Sequence, residues 1–347
     1  MHAQFLYYKT FTRIVIIALT IFRNNLGIVL LFLILGSDVF AQTERNEVYR
    51  FLEIPSSAWA SALGGNQVAI FAGNSSLMHI NPAYLDESSA KNVSASFVNY
   101  LSDARYGFAN YALHYSGIGT IGFGLRYAGY GELTEYDVNG ENFGEFNAGD
   151  LALNGTISTQ LSDKVRAGAG LDYIHSSYGE YVSSAFSGSA GLYYLNTETR
   201  FSAGLTIRNL GDQLNYYNET REDLPFDISV GISKKPEKFP FQVSLTLRQL
   251  HDWDLRVPGE VSAPNFGDQL FRHMILGGEA ALGKNFNLRF GYNRWQHDQA
   301  KLNENFDFAG ASIGVGINLK KVQIDISRSS LSDIGGIVQL SVRTKTH

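Results

Sequence analysis

Few residues in this 347-residue chain stand at spacings that could do chemistry. Gly117-Ile118-Gly119-Thr120-Ile121-Gly122 matches the G-x-G-x-x-G of dinucleotide sites. That chemistry needs a helix opening inside the motif, so that its first amides meet the pyrophosphate. Here strict alternation runs straight through instead. Ile121, Phe123, Leu125 and Tyr127 are large and apolar, while Thr120, Gly122, Gly124, Arg126 and Ala128 are small or polar. A strand sends successive side chains to opposite faces, so the glycines are expected to thin one face or to sit in a tight turn. His251-Asp252-Trp253-Asp254 could be drawn as a metal or acid–base cluster, but it falls in a long connection where charged groups are solvated. No serine sits in a nucleophile elbow. His114, His175, His273 and His297 fall singly on strand candidates, whereas a barrel lipase needs a Ser and His pair on neighbouring strands. No catalytic, cofactor-binding or metal-binding residue is assigned, and a non-enzymatic protein without a cofactor is expected.

The two-faced pattern recurs to the end of the chain. Phe226, Ile228, Val230 and Ile232 interleave with Asp227, Ser229, Gly231 and Ser233. Phe241, Val243, Leu245 and Leu247 interleave with Gln242, Ser244, Thr246 and Arg248, and Val322, Ile324 and Ile326 with Gln323, Asp325 and Ser327. From Asn92 onward about fourteen strands are expected, at 92–101, 106–116, 119–128, 148–160, 164–176, 183–195, 199–209, 226–235, 239–250, 270–282, 285–297, 305–318, 321–328 and 335–343. The fold class expected is all-β, a transmembrane outer-membrane barrel with lipid outside and a polar, crowded lumen. Arg50, Arg126 and Arg248 are placed near or inside that lumen, where carboxylates such as Asp172 or Asp227 would pair with them.

The connections carry independent information. Alternate ones are tight: Ser116–Gly119, Leu161–Lys164, Asn196–Thr199, Lys234–Phe239, Leu282–Asn285 and Asn318–Lys321. Three of those in between are long: 129–147, 210–225 and 251–269. Short turns on one rim and longer loops on the other is the outer-membrane arrangement. A soluble β-sandwich would also alternate, but has no reason to sort its loops by parity. An even strand number puts both termini on the tight-turn side, expected to be periplasmic. The long loops are the candidate partner surfaces, with Tyr130, Tyr136, Tyr216, Tyr217 and Trp253 as candidate partner-facing residues.

Composition agrees. Net charge is −5 and only 18% of residues are charged, too weak a bias for a nucleic-acid partner. Aromatics reach 13%, and there are 35 glycines, as interfacial girdles and a crowded interior require. Cysteine is absent, which removes disulfides, thiolate chemistry and a lipoprotein anchor.

Residues 1–41 read as a signal peptide: Lys9, Arg13 and Arg23 give a basic region, Leu26–Leu35 an apolar one, and Val39-Phe40-Ala41 a small-residue cleavage site. An N-terminal membrane anchor is the alternative, and a second apolar run at Ile14–Phe22 leaves a downstream start open. Residues 42–90 differ in texture. Ser56–Val68 has a serine at a plausible N-cap and Ala58, Trp59, Ala62 and Leu63 at helical spacing, with Gly64-Gly65 to end the helix. Asn81-Pro82 signals a turn. The segment is expected to plug the barrel's periplasmic mouth, or else to be an ordinary extension.

At Ser56-Ser57-Ala58, Ala62-Leu63-Gly64-Gly65 and Asn81-Pro82-Ala83-Tyr84-Leu85 the chain resembles the PorV/PorQ family, outer-membrane proteins of the type IX secretion system related to FadL-type fatty-acid channels. Tyr49-Arg50-Phe51-Leu52 and Pro55 are more similar to the PorQ branch. The resemblance implies a fourteen-stranded barrel with an N-terminal segment at its mouth. It implies a role as anchor for the surface attachment complex, holding a PorZ-type partner, with a PorU-type sortase and a PorV-type shuttle in the wider assembly. Gly64, Gly65, Asn81, Pro82 and Ala83 then carry turn geometry rather than chemistry. One departure is that the last strand ends on Val338, Leu340 and Val342 rather than on a terminal aromatic. A FadL-like channel for fatty acids or other hydrophobic small molecules is the alternative function, and predicts an apolar pocket behind the N-terminal segment.

Overall fold

The computed structural model describes residues 47–70, 73–100, 103–136, 139–237, 239–257, 260–300, 308–331 and 335–344. The expected signal peptide lies outside them. The main compact unit comprises Arg45–His114 and Gly119–His347. Of a second unit only Tyr115–Ile118 is described, a tight turn in which the Ile118 amide donates to the Tyr115 carbonyl at 3.1 Å.

Fourteen antiparallel strands close into a barrel in sequence order, with β1 (Val93–Asn99) hydrogen-bonded to β14 (Gly336–Thr344). The others are β2 (Arg105–Tyr115), β3 (Gly119–Tyr136), β4 (Asn142–Ser162), β5 (Val165–Tyr178), β6 (Tyr181–Asn196), β7 (Phe201–Asn215), β8 (Asp227–Lys234), β9 (Phe241–Leu247), β10 (Met274–Leu282), β11 (Phe286–Asn293), β12 (Ala311–Asn318) and β13 (Val322–Ser330). Burial is inverted relative to a soluble protein. Phe97, Leu340, Ile326 and Val315 lie side by side across four strands and are each about half exposed. One residue along, Ser96, Ser341 and Asp325 form a row that is buried. Exposed apolar and buried polar side chains are what a barrel in lipid requires. A one-residue slip would turn each row to the wrong side, so the pattern itself fixes the register. No helix among the described residues is long and apolar enough to cross a membrane.

The wall is uneven. Strands β3 to β7 run 14–21 residues, whereas β8 to β14 run only 7–9. The expected loop at 129–147 is therefore largely strand: the β3–β4 hairpin continues to a pair between Tyr136 and Asn142, past a register shift between Gly129 and Glu132. Of the loop expected at 210–225 only 210–215 join β7, and the rest remains connection. On the short side the connections fold as helices instead. Residues 270–273 and 294–297, expected in strands, belong to α2 (Phe266–His273) and α3 (Arg294–Ala300), and β12 starts at Ala311 rather than 305.

The interior is occupied by residues 47–92. These do not stay at the tight-turn mouth, the place expected for them, but thread the lumen from the opposite rim. Glu47 bridges Asp223 in the β7–β8 connection, and the Val48 amide donates to the Asp223 carbonyl at 2.9 Å. The chain then descends, turns through the short helix α1 (Ala58–Ala62), and reaches the tight-turn rim, where the Gly73 carbonyl accepts from Arg343 at 2.8 Å and Asp86 pairs with Arg166 at 2.6 Å. The C-terminal strand also ends at that rim, at Thr344. The physical reason for the full-height path is polar: the segment supplies partners to wall residues at every level.

Candidate functional site

The site is the lumen, built by the plug segment against the inward faces of the strands. Ser57 caps α1 by accepting from the Ala60 amide at 3.4 Å. Gly64 (φ +87°) and Gly65 (φ +123°) end the helix in left-handed conformations. A Cβ on Gly64 would stand 3.0 Å from both Ile275 Cγ2 and the Tyr292 amide nitrogen, so plug backbone lies directly on wall backbone here. Asn81, fully buried, donates through Nδ2 to the Val68 carbonyl at 3.1 Å and to the Leu192 carbonyl of β6 at 3.2 Å, and accepts from the Ala83 amide at 3.0 Å. Pro82 and Ala83 press on Gly168 of β5. The five motif residues are thus brought together as contacts between plug and wall.

Further ties hold the plug to the wall. The Ala58 amide donates to Ser341 Oγ at 2.7 Å, Trp59 Nε1 to Glu279 at 2.8 Å, and His79 Nε2 bonds Asn110 Oδ1 at 2.7 Å. Arg289, fully buried, pairs with Glu279 and Asp325, both at 2.6 Å. Of the three arginines expected in the lumen, Arg126 pairs with Asp172 at 2.7 Å. Arg248 instead meets Glu53 of the plug at 2.9 Å, and Asp227 takes Arg208 at 2.5 Å. Arg50 is 60% exposed and pairs with Glu53 at 3.5 Å. The Arg289 cluster was not singled out in the sequence, although Arg289 sits on the inward phase between Leu288 and Phe290.

Above the plug, toward the long-loop rim, lies a vestibule of about 690 Å³. Its floor is Phe51, Ile54, Gly64 and Gly65, and its walls include Tyr100, Tyr106, Trp295, Ile337 and the Arg208–Asp227 and Arg248–Glu53 pairs. A second cleft of about 510 Å³ lies beside it, sharing Arg50 and Tyr130. Near the tight-turn rim a cavity of about 180 Å³ sits among Trp59, Arg289, Gln323 and Arg343.

Tyr130 and Tyr217 belong to one arc of rings. Tyr100, Tyr106, Tyr130, Tyr178, Tyr217 and Tyr49 follow one another with centroids 5.4, 6.3, 5.7, 5.5 and 6.4 Å apart. Tyr130 donates to Asp150 at 2.5 Å, and Ser176 bonds both Asp150 and Tyr217. Tyr136 stands exposed near the tip of the β3–β4 hairpin, and Tyr216 is exposed in the β7–β8 connection. Trp253 joins a different group, stacked 4.6 Å from His273 and 5.7 Å from Phe266. The His251–Asp254 stretch forms no convergent set: His251 packs edge-on to Phe226, and Asp254 pairs with Arg256. Among the described residues no three His, Asp or Glu converge as metal ligands. His114 and His175 lie on strands, whereas His273 ends α2 and His297 lies on α3.

No protein-family model matches the chain, and no curated protein does. Solved structures do. A TodX ΔS2S3 mutant monoaromatic hydrocarbon channel is similar over 83% of this chain and 98% of its own, at 12% identity and a TM-score of 0.53. The CymD monoaromatic hydrocarbon channel is similar over 86% and 99%, at 12% identity and a TM-score of 0.52. The toluene transporter TodX of Pseudomonas putida is similar over 88% and 100%, at 14% identity and a TM-score of 0.50. The likeness is one of fold: the chain is a closed fourteen-stranded β-barrel built on the same plan as these channels.

Proposed function

We propose that the protein is a non-enzymatic outer-membrane channel of the FadL type, which takes small hydrophobic or amphipathic molecules into the vestibule above its plug. The observation that carries this reading is the vestibule itself. It is large enough for a small ligand, and aromatic and aliphatic side chains from plug and wall line it beside two ion pairs. Such a lining suits a molecule with an apolar body and a polar end. The fold shared with hydrocarbon channels supports the same reading. The long-loop rim is then the outer side and the tight-turn rim the periplasmic one.

A second reading, anchor of the type IX surface attachment complex with a PorZ-type partner, is favoured by one specific observation. The residues that carry the PorV/PorQ resemblance, Gly64 and Asn81 foremost, lie in the contacts that tie the plug to the wall. A plug held so closely suits a barrel that holds a partner better than one that passes a solute.

One experiment separates the two. The tagged protein is purified from outer membranes in mild detergent, and bound proteins and lipids are identified by mass spectrometry. A stoichiometric apolar small molecule without protein partners supports the channel. Near-equal recovery of large surface or secretion proteins without such a ligand overturns it in favour of the anchor.

A further inference from the structure

Helix α2 has its polarity the wrong way round for a soluble protein. Its buried residues are Gln269, Arg272 and His273, whereas Phe266 and Phe271 are 70% and 57% exposed. At about 100° per residue Phe266, Leu270 and Phe271 fall within one arc of about 140°, and the three buried polar residues fall in a separate arc of about 100° on the other side of Phe266. The polar arc is satisfied. Gln269 accepts from the Leu255 amide at 3.0 Å and donates to Asp254 at 3.1 Å. Arg272 donates to both Glu260 oxygens and to the Leu255 carbonyl, each at 2.6 Å, and to Asp298 of α3 at 2.9 Å. His273 meets the Arg248 carbonyl at 2.6 Å. A surface helix in water puts its apolar stripe inward; this one repeats the inversion of the barrel wall.

The chain also makes the arc continuous with that wall. Residue 273 ends α2 and residue 274 begins β10, whose outward Leu276 is opposite the likewise outward Leu245 of β9. Height gives a second argument. At about 3.4 Å per residue and a tilt of about 35–45°, the seven residues of β9 cover roughly 17–20 Å. An outer-membrane apolar band is about 25 Å tall. The shortfall lies where α2 sits. Trp253, 41% exposed and stacked on Phe266, supplies the amphipathic ring that interfacial belts favour.

We propose that α2 is a helical extension of the lipid-facing wall, with Phe266, Leu270 and Phe271 lying against membrane lipid above the short strands. The 251–269 connection is then part of the membrane boundary rather than a loop offered to a soluble partner. The inference rests on the barrel lying in a membrane, and not on what its vestibule takes.

The chain has no cysteine, so single sites can be spin-labelled without background. Phe271→Cys and Phe266→Cys are compared in reconstituted liposomes with Leu276→Cys as the lipid reference and Asn218→Cys as the aqueous one. The readout is collision with oxygen, which concentrates in lipid, against a water-soluble nickel chelate. The expected result is an oxygen-to-nickel ratio at the two α2 sites that matches Leu276→Cys and stands clearly above Asn218→Cys. A ratio equal to Asn218→Cys overturns the proposal. So does shielding from both reagents, which marks a contact between protein copies. A heat-modifiable gel shift shows that each variant has folded, and either α2 site alone decides the outcome if the other does not fold. An aqueous ratio at Leu276→Cys would overturn the membrane barrel together with the proposal.

Discussion

Arg126 of β3 and Asp172 of β5 meet at 2.7 Å inside the barrel with both side chains 3% exposed, and the other amino group of Arg126 donates to the Leu52 carbonyl of the plug at 3.3 Å. One guanidinium therefore compensates a buried wall carboxylate and holds the plug. Removing it leaves the buried Asp172 carboxyl without its ion-pair partner. Breaking a buried pair on one side costs about 3–5 kcal/mol, so Arg126→Leu is expected to lower the unfolding midpoint in detergent and to expose the 52–57 stretch to protease. The double variant Arg126→Leu/Asp172→Leu removes the orphaned carboxyl and is expected to recover much of the midpoint while the stretch stays protease-sensitive. A double variant no more stable than the single one would show that the carboxyl is not what matters.

The fit between plug and wall gives a second prediction. A Cβ on Gly291 of β11 would fall on the Gly64 nitrogen and the Leu63 carbonyl carbon, both backbone atoms that no side-chain rotation can move aside. Gly291→Ala is expected to cost about 1–3 kcal/mol through overpacking and to lift the plug. Conductance in a planar bilayer should then rise above that of the native barrel. Gly155 of β4, which has nothing within 4 Å of its Cβ position, provides the matched control: Gly155→Ala should leave conductance unchanged.

Acid should act on the β9–β10 connection through Glu260. Its hydrogen bonds from Arg272 favour the carboxylate and hold its pKa below the ordinary 4.5. A carboxyl depressed in the folded state contributes stability that is fully present above its unfolded value and is lost as pH falls through the folded one. The 253–257 stretch, tied to the same Arg272 through the Leu255 carbonyl, should keep its hydrogen-exchange protection at neutral pH and lose it only below the ordinary carboxylate range. Glu260→Gln should give weaker protection that no longer steepens over that acid range. An unchanged acid profile in Glu260→Gln would show that another group controls the loop.

The strands were legible because period two is a local property: Val243 and Leu245 against Gln242, Ser244 and Thr246 already assign the two faces of β9. The tight turns were legible for the same reason. The heights of β3 to β7 were not, since above the lipid a hairpin such as Leu133-Thr134-Glu135 no longer has to alternate in polarity. Helix α2 is not legible: its sequence splits between the loop expected at 251–269 and the strand expected at 270–282, because its exposed Phe271 and buried Arg272 do not follow the soluble helix rule. Of the lumen, the arginines could be placed inside but not paired, since Arg126 and Asp172 are 46 residues apart and Asn81 and Leu192 are 111 apart. The Gly64-Gly65 and Asn81-Pro82 motifs are expected as turns; Gly64-Gly65 follow α1 and Asn81 caps a short 3-10 helix over Pro82–Tyr84, and their contact with the wall is a tertiary fact that spacing does not encode.

Asn81 supplies the last prediction, because its amide is matched on both sides. Nδ2 donates to two carbonyls and Oδ1 accepts from an amide. Asn81→Ala leaves the Val68 and Leu192 carbonyls without this donor, and an unmet buried polar group costs about 1–3 kcal/mol. Asn81→Asp keeps the shape and the bond from Ala83 but points a carboxylate oxygen at the same two carbonyls. At neutral pH it should be the more damaging of the two. A protonated carboxyl can donate to one carbonyl again, so burial beside acceptors raises the folded pKa of the introduced group. Its destabilisation is then greatest above that value and shrinks as pH falls through it, whereas Asn81→Ala shows no such recovery. Thermal unfolding of both variants over a pH series tests the ordering. An Asp variant whose midpoint deficit relative to the native chain stays constant with pH would mean that water, not the two carbonyls, faces residue 81.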